Sequence, residues 1–109
     1  MLFISADDFF AKASTCSRLP REEEKALVLQ MAAGDKNARM ALICSYLPFV
    51  ASRIRRSPRR LHTLSTVYTC IDSLEKAVDC FNFSQDSEPF LHHLSWRMRQ
   101  CITKCIALY

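Results

Sequence analysis

The sequence predicts an all-α fold, a compact bundle of four main helices preceded by one short N-terminal helix. Apolar residues recur three and four positions apart along most of the chain, and no stretch alternates with the two-residue period of a β-strand. Only one glycine occurs among the 109 residues, which disfavours a sheet built from many hairpins. The composition, 50% hydrophobic and 24% charged, is typical of one globular domain.

Five predicted helices cover residues 5–13, 20–34, 36–56, 63–81 and 90 to about 108. Ser5 and Asp35 can cap the first and third, because their side chains accept hydrogen bonds from free N–H groups at a helix start. Pro20 suits the first turn of the second helix, and Gly34 suits its end. Pro48 lies inside the third helix and is expected to kink it, since an interior proline removes a backbone hydrogen bond.

The last two helices are separated by a polar loop at residues 82–89. The fourth helix carries one apolar stripe at helical spacing, made of Leu64, Val67, Ile71, Leu74 and Val78. Ser87 is expected to cap the last helix, with Glu88 and Pro89 in its first turn. We divide the chain into an N-terminal extension, residues 1–18, and a helical domain, residues 19–109.

Six cysteines are predicted to be reduced, core-filling thiols of a cytoplasmic protein. No pair has the CxxC spacing of a zinc site, and the N-terminus lacks the pattern of a secretory signal. No apolar run approaches the roughly 20 residues of a membrane span. No nucleophile–base set, glycine-rich phosphate loop or carboxylate pair is recognised, so we expect neither an enzyme, nor a metal, nor a cofactor.

The candidate binding residues lie on the last helix, which has two unlike faces. The apolar face holds Leu91, Leu94, Met98, Cys101, Ile102 and Cys105. The polar face holds His93, Trp96, Arg97, Gln100, Thr103 and Lys104. The Trp96 indole can stack on a base, the amide and hydroxyl can bond base edges, and Arg99 and Lys104 can meet phosphates. Alternatively, Trp96 lies at the boundary and covers a neighbouring helix while Arg97 caps it.

A second candidate is the arginine-rich segment at residues 53–60, which contains five arginines in eight positions. Its proposed phosphate contacts are Arg55, Arg56, Arg59 and Arg60. The segment can hold DNA phosphates or an acidic protein surface, and the net charge of +4 permits an anionic partner. It can equally be a solvated helix end, where cations are favourable.

Three segments, residues 19–51, 74–81 and 90–104, resemble region 2 of the sigma-70 family of bacterial transcription initiation factors. They are "LPREEEKALVLQMAAGDKNARMALICSYLPFVA", "LEKAVDCF" and "FLHHLSWRMRQCITK". Their order and nearly ungapped spacing follow the family, and the resemblance covers roughly residues 19–106. It implies a sigma region 2-like fold and a DNA-binding role in transcription initiation.

In the family, the last segment reads and melts the −10 promoter element. Trp96 matches the first of two tryptophans there, and Gln100 and Thr103 match residues that contact the upstream, still paired edge of the element. Arg99 matches an arginine of the family. His93 stands where the family has a base-stacking tyrosine, and Arg97 where it has the second tryptophan. The resemblance therefore implies capture of non-template single strand by His93, Trp96 and Arg97.

The same resemblance implies that the helix at 63–81 docks on a coiled coil of the β′ subunit of core RNA polymerase. The positions implied for docking are Ser65, Tyr68, Thr69, Asp72 and Glu75. The family's Asp-Leu-x-Gln-Glu-Gly pattern is replaced here by "STVYTCID", so most of its acidic chemistry is absent. The resemblance stops at region 2, and a second polypeptide can carry the −35-reading domain; the sequence does not say whether one does.

Two other interpretations stay open at this point. The chain can be a non-catalytic interaction module that retains the fold but no longer reads promoters, such as half of a split sigma factor or a regulator-binding adaptor. It can also be a helical bundle with unrelated ligands. A promoter reader needs the polar face of the last helix, whereas an adaptor does not.

Overall fold

The computed structural model describes residues 2–81 and 90–108, which form helices and connecting turns without a β-strand, so the all-α prediction is confirmed. The helices are α1 (Ala6–Ala13), α2 (Arg21–Ala32), α3 (Lys36–Ser45), α4 (Leu47–Arg56), α5 (Leu64–Cys80) and α6 (Phe90–Leu108). A short 3₁₀ helix, Arg59–Leu61, precedes α5. The loop 82–89 and the expected cap at Ser87 lie outside the described residues.

The single kinked helix expected over residues 36–56 is wrong, because the chain forms two helices there. α3 ends and α4 begins at Tyr46, whose backbone (φ −101°, ψ −2°) joins them. Pro48 therefore falls in the first turn of α4. Backbone N–H groups in a first turn have no acceptor within the helix, so a proline there removes no helical hydrogen bond. The break replaces a costly interior proline with a favourable one, and the main helices number five among the described residues rather than four.

The expected helix ends agree closely with the structure. The Ser5 side chain accepts a hydrogen bond from an amide of α1 at 3.1 Å, and Asp35 accepts two from α3 at 2.9 and 3.2 Å. Gly34 follows α2 with φ of +99°, a conformation that glycine adopts without steric cost. Pro20 lies one position before α2 rather than within its first turn. These caps satisfy backbone groups that a helix end would otherwise leave unpaired.

The core lies where α5 and α6 pack against each other, with α1, α3 and α4 around them. Its fully buried side chains include Leu42, Ile43, Val50, Ile54, Leu61, Val67, Leu74, Leu94 and Met98. The helical spacing of these residues places them on the inner faces of their helices, and their burial is the main source of stability. In the part of the chain that the structure describes, no helix is both long and apolar enough to span a bilayer.

The N-terminal extension packs into this same core. Phe9 and Ala13 of α1 have no exposed surface, and the Phe3 ring meets the Phe9 ring edge-on at 5.1 Å. The backbone N–H of Phe3 donates a hydrogen bond to the Tyr68 hydroxyl of α5 at 2.9 Å. The extension therefore covers one edge of α5 and shares its hydrophobic core with residues 19–109.

Tyr46, at the break between α3 and α4, connects three further parts of the chain. Its hydroxyl donates a hydrogen bond to Glu24 of α2, and its ring centroid lies 4.8 Å from that of Phe90 at the start of α6. The guanidinium of Arg18 lies over the same ring at 4.8 Å. Burial and the nearby Glu24 carboxylate raise the pKa of Tyr46, so the phenol stays neutral and keeps its donor role.

One ion pair joins α3 to α5, and we expect its removal to have a small, pH-dependent effect. Arg39 donates from Nε and Nη2 to the two Asp79 oxygens at 2.8 and 2.9 Å. That contact lowers the pKa of Asp79. Because both side chains are partly exposed, Arg39→Ala should lower the free energy of unfolding by only about 0.5–1 kcal/mol at neutral pH in urea titrations.

The sign of the pH effect follows from the lowered pKa of Asp79. The stabilisation is complete above the ordinary carboxyl pKa of 3.8 and is lost as the pH falls through the lower, folded-state value. The difference between wild type and Arg39→Ala should therefore shrink in acid. Arg56→Ala is the matched control, since this exposed arginine forms no ion pair among the described residues. An equal loss in both variants would contradict the role of the ion pair.

Candidate nucleic-acid interface on α6

The two faces of α6 have most of the burial that their spacing predicts, although Leu91 and Ile102 of the apolar face are only half-buried. Leu94 and Met98 have no exposed surface, and Phe90, Cys101 and Cys105 are also buried. On the opposite side, Trp96 is 57% exposed, with Gln100 and Lys104 following it at intervals of one turn. The indole therefore lies outside the hydrophobic core, at the border between α6 and α5.

Trp96 borders an open groove of about 390 Å³ between α5 and α6, here called the α5–α6 groove. Its α5 wall consists of Thr69, Asp72, Ser73 and Lys76. Its α6 wall consists of Trp96, Arg97, Gln100, Cys101 and Lys104. The structure thus brings four residues expected to bind DNA next to two residues expected to bind polymerase, Thr69 and Asp72.

The α5–α6 groove carries an excess of positive charge. Three cations (Lys76, Arg97 and Lys104) and one carboxylate (Asp72) line it, so its formal charge is +2. Asp72 is paired with Lys76 on its own helix at 3.0 Å. Lys104 forms no ion pair among the described residues, so its ammonium group is available to an anionic ligand in the groove.

Arg97 and His93 form a bonded pair at one end of the groove. Arg97 Nε donates a hydrogen bond to His93 Nε2 at 3.0 Å, and both side chains are half-buried. The imidazole also lies 5.3 Å from the Phe81 ring and 6.3 Å from the Phe90 ring. His93 therefore holds the Arg97 guanidinium at the groove, whereas the resemblance implied that its ring stacks on a base.

The arginine-rich segment lies at the other end of α6. Arg60 Nη2 is 3.5 Å from the carbonyl oxygen of Ile106, which is ten residues, or about 15 Å of helix, beyond Trp96. The Arg55 guanidinium lies over the Phe10 ring at 4.8 Å, and its edges remain exposed. Arg56 and Arg59 are exposed as well. Arg60 therefore adds a basic side chain near the C-terminal end of α6.

Three of the positions expected to dock on polymerase already have partners within the chain. The Tyr68 hydroxyl accepts the Phe3 N–H at 2.9 Å, and the Thr69 hydroxyl donates to the Ser65 carbonyl oxygen at 2.7 Å. Asp72 is paired with Lys76, as described above. Ser65 is exposed and Glu75 is half-buried, on the same row of α5. Arg99 and Thr103 are exposed on α6, outside the groove.

Sequence reasoning missed Ser73 and Lys76 on the α5 wall and the meeting of Cys70 with Cys101. Lys76 lies one turn after Asp72, so its presence on the same face as Thr69 could have been found from helical spacing. The packing of the α5 wall against the α6 wall could not have been found from helical spacing, because it depends on how the two helices are aligned in space. In the described residues, no three histidine, cysteine or acidic side chains are grouped to hold a metal ion.

Comparison of this chain with protein families, curated proteins and solved structures finds no match.

Proposed function

We propose that this chain is a divergent sigma region 2-like transcription regulator of the bacterial cytoplasm. It binds core RNA polymerase and contacts the non-template single strand of −10 promoter DNA through α6, without a catalytic group or cofactor. The observation that carries the proposal is the exposed Trp96 in a basic groove, one turn before Gln100. The resemblance of residues 19–106 to sigma region 2 supplies the class of partner.

The proposed mechanism separates stacking from charge neutralisation. An unpaired base stacks on the Trp96 indole, a contact that tolerates any base because every base has a π-face. Gln100 donates to and accepts from a base edge one turn further along the helix. Arg97, held by His93, and Lys104, two turns after Trp96, line the same groove and meet the flanking phosphates. The exposed Arg60, near the Ile106 carbonyl oxygen, extends this attraction to the next part of the strand.

A second candidate function is a non-catalytic interaction module that keeps the fold without docking on polymerase through α5. The intramolecular contacts of Tyr68, Thr69 and Asp72 favour it, because these groups would have to exchange partners before binding another protein. Desolvating an ion pair or a satisfied hydroxyl at an interface opposes binding unless the partner replaces the bonds. A regulator-binding adaptor or half of a split sigma factor fits this candidate.

The test is co-elution of the purified chain with core RNA polymerase in size-exclusion chromatography, together with titration by a single-stranded −10 oligonucleotide. Trp96 is the only tryptophan, so quenching of intrinsic fluorescence reports directly on the candidate site. We expect co-elution and saturable quenching. Quenching without co-elution would exclude the polymerase-binding part and favour the adaptor. Absence of both would overturn the proposed function.

A further inference from the structure

Behind the α5–α6 groove, three cysteines from two helices lie together. The Sγ atoms of Cys70 in α5 and Cys101 in α6 are 3.6 Å apart, close enough for a thiol–thiol hydrogen bond. Cys105, one turn after Cys101, lies on the same buried face of α6. All three thiols are free. The proposed DNA contacts make no use of this cluster, although Cys101 forms part of the groove wall.

We propose that Cys70 and Cys101 are a redox-active thiol pair, which peroxide oxidises to a disulfide that joins α5 to α6 and controls access to the α5–α6 groove. The thiol chemistry stands on the geometry of the cluster alone. Its regulatory consequence rests on the proposed function, because it concerns the same groove.

Cys101 is the thiol that meets the oxidant. It is 9% exposed at the groove wall, whereas Cys70 has no exposed surface. The hydrogen bond from the Cys70 thiol lowers the pKa of Cys101, against the opposing effect of burial, and the Cys105 thiol and the Lys104 ammonium lower it further. Cys70 keeps the shared proton, and its pKa is raised by that hydrogen bond and by burial. Cys101 therefore has more thiolate character than Cys70, and the thiolate is the form that reacts with peroxides.

The reaction balances with one equivalent of hydrogen peroxide. The Cys101 thiolate attacks one peroxide oxygen, the O–O bond breaks, and a sulfenic acid forms while hydroxide leaves and takes a proton as water. Cys70 then attacks the Cys101 sulfur, its S–H proton and the sulfenic hydroxyl leave as a second water, and the S–S bond forms. Two thiols are oxidised by two electrons, and one peroxide is reduced to two waters.

We expect the disulfide to change the geometry of the groove, because Cys101 forms part of its wall. A disulfide bond is about 2.05 Å long, so the two sulfurs must approach by about 1.5 Å from their present separation. Cys101 belongs to the same wall as Trp96 and Gln100, and Cys70 follows Thr69 of the opposite wall. Drawing the walls together narrows the space beside the indole. We expect the oxidised protein to bind single-stranded DNA about threefold more weakly or worse, because a site displaced by about 1 Å loses complementarity.

The chemical test uses the full folded chain and hydrogen peroxide. After oxidation, remaining thiols are blocked with N-ethylmaleimide, and intact mass and a non-reduced tryptic digest are measured. We expect the loss of two hydrogen atoms and one linked peptide pair, Cys70–Cys101, which dithiothreitol reverses. Cys101→Ser should abolish the link. Cys80→Ser is the matched control, because Cys80 is the exposed cysteine and should leave the link unchanged.

Three outcomes would overturn the thiol proposal. They are a link between other cysteines, a Cys101–Cys105 link, or over-oxidation of Cys101 without any link. Circular dichroism of Cys101→Ser and of Cys101→Ala checks that these variants remain folded. If one substitution unfolds the chain, the other variant and the wild-type peptide map still decide the outcome.

The regulatory part is tested by titrating reduced, oxidised and re-reduced protein with the same −10 oligonucleotide. Weaker binding after oxidation that dithiothreitol restores supports regulation, and equal binding in both states overturns it. If the disulfide forms but neither the reduced nor the oxidised protein binds DNA, the thiol chemistry stands. That result refutes the proposed function and the regulatory role. DNA binding without a disulfide refutes the thiol pair alone.

Discussion

Replacing Leu94 with alanine is expected to lower the free energy of unfolding by about 2–5 kcal/mol. Leu94 has no exposed surface and lies at the centre of the buried face of α6. The substitution removes its apolar contacts and leaves a cavity that close-packed neighbours such as Met98 can fill only in part. Urea titration followed by circular dichroism measures the change, and it should appear as a lower midpoint with an unchanged slope.

Leu108→Ala is the matched control for this prediction. It removes the same atoms from the same helix, but Leu108 is 66% exposed, so the free energy of unfolding should change by less than about 0.5 kcal/mol. Similar losses in the two variants would mean that α6 does not present the buried face described here. A loss below about 1 kcal/mol at Leu94 would lead to the same conclusion.

The second large effect is expected at Trp96, and it concerns affinity rather than stability. If one base stacks on the indole, Trp96→Ala should weaken binding of the single-stranded −10 oligonucleotide by about 1–3 kcal/mol, or roughly 5- to 150-fold. Because the side chain is 57% exposed, the free energy of unfolding should change by less than about 0.5 kcal/mol. Anisotropy of a labelled oligonucleotide measures binding, since the variant has no tryptophan fluorescence.

Trp96→Phe separates stacking from mere bulk. A phenyl ring still stacks, so this variant should retain most of the affinity that Trp96→Ala loses. Taken together, Leu94→Ala and Trp96→Ala should give opposite results: one loses stability and the other loses binding. An unchanged affinity in Trp96→Ala would remove the main support for DNA recognition and would favour the interaction module.

The features predicted correctly from sequence are those that depend on local spacing. The burial of Leu94 and the exposure of Trp96 follow from which residues lie three and four positions apart. Ser5, Gly34 and Asp35 mark helix ends for local chemical reasons, and the structure confirms each. The two-faced character of α6, on which the candidate site depends, was therefore accessible without coordinates.

The features that sequence reasoning got wrong or missed are of two kinds. Some depend on which of two local backbone structures forms, and others depend on how distant segments of the chain pack together. At Pro48, a kinked helix and a broken helix both fit the apolar spacing. The break at Tyr46 avoids the cost of an interior proline. It also lets the Tyr46 hydroxyl bond to α2 and the Tyr46 ring pack against α6. The bond between His93 and Arg97 was missed although the two residues are one turn apart, because both were assigned to ligand binding. The α5–α6 groove and the Cys70–Cys101 contact depend on helix packing that spacing does not specify.

The bond between Phe3 and Tyr68 has a consequence for how the chain emerges from the ribosome. These residues are 65 positions apart. At a synthesis rate of about 5–20 residues per second, Tyr68 is therefore added roughly 3–13 s after Phe3. During that interval Phe3 and the phenylalanines of α1 have no completed site to bury them. We therefore expect co-translational chaperones that bind short aromatic segments to raise the yield of folded protein. They should not change the free energy of unfolding of the folded chain.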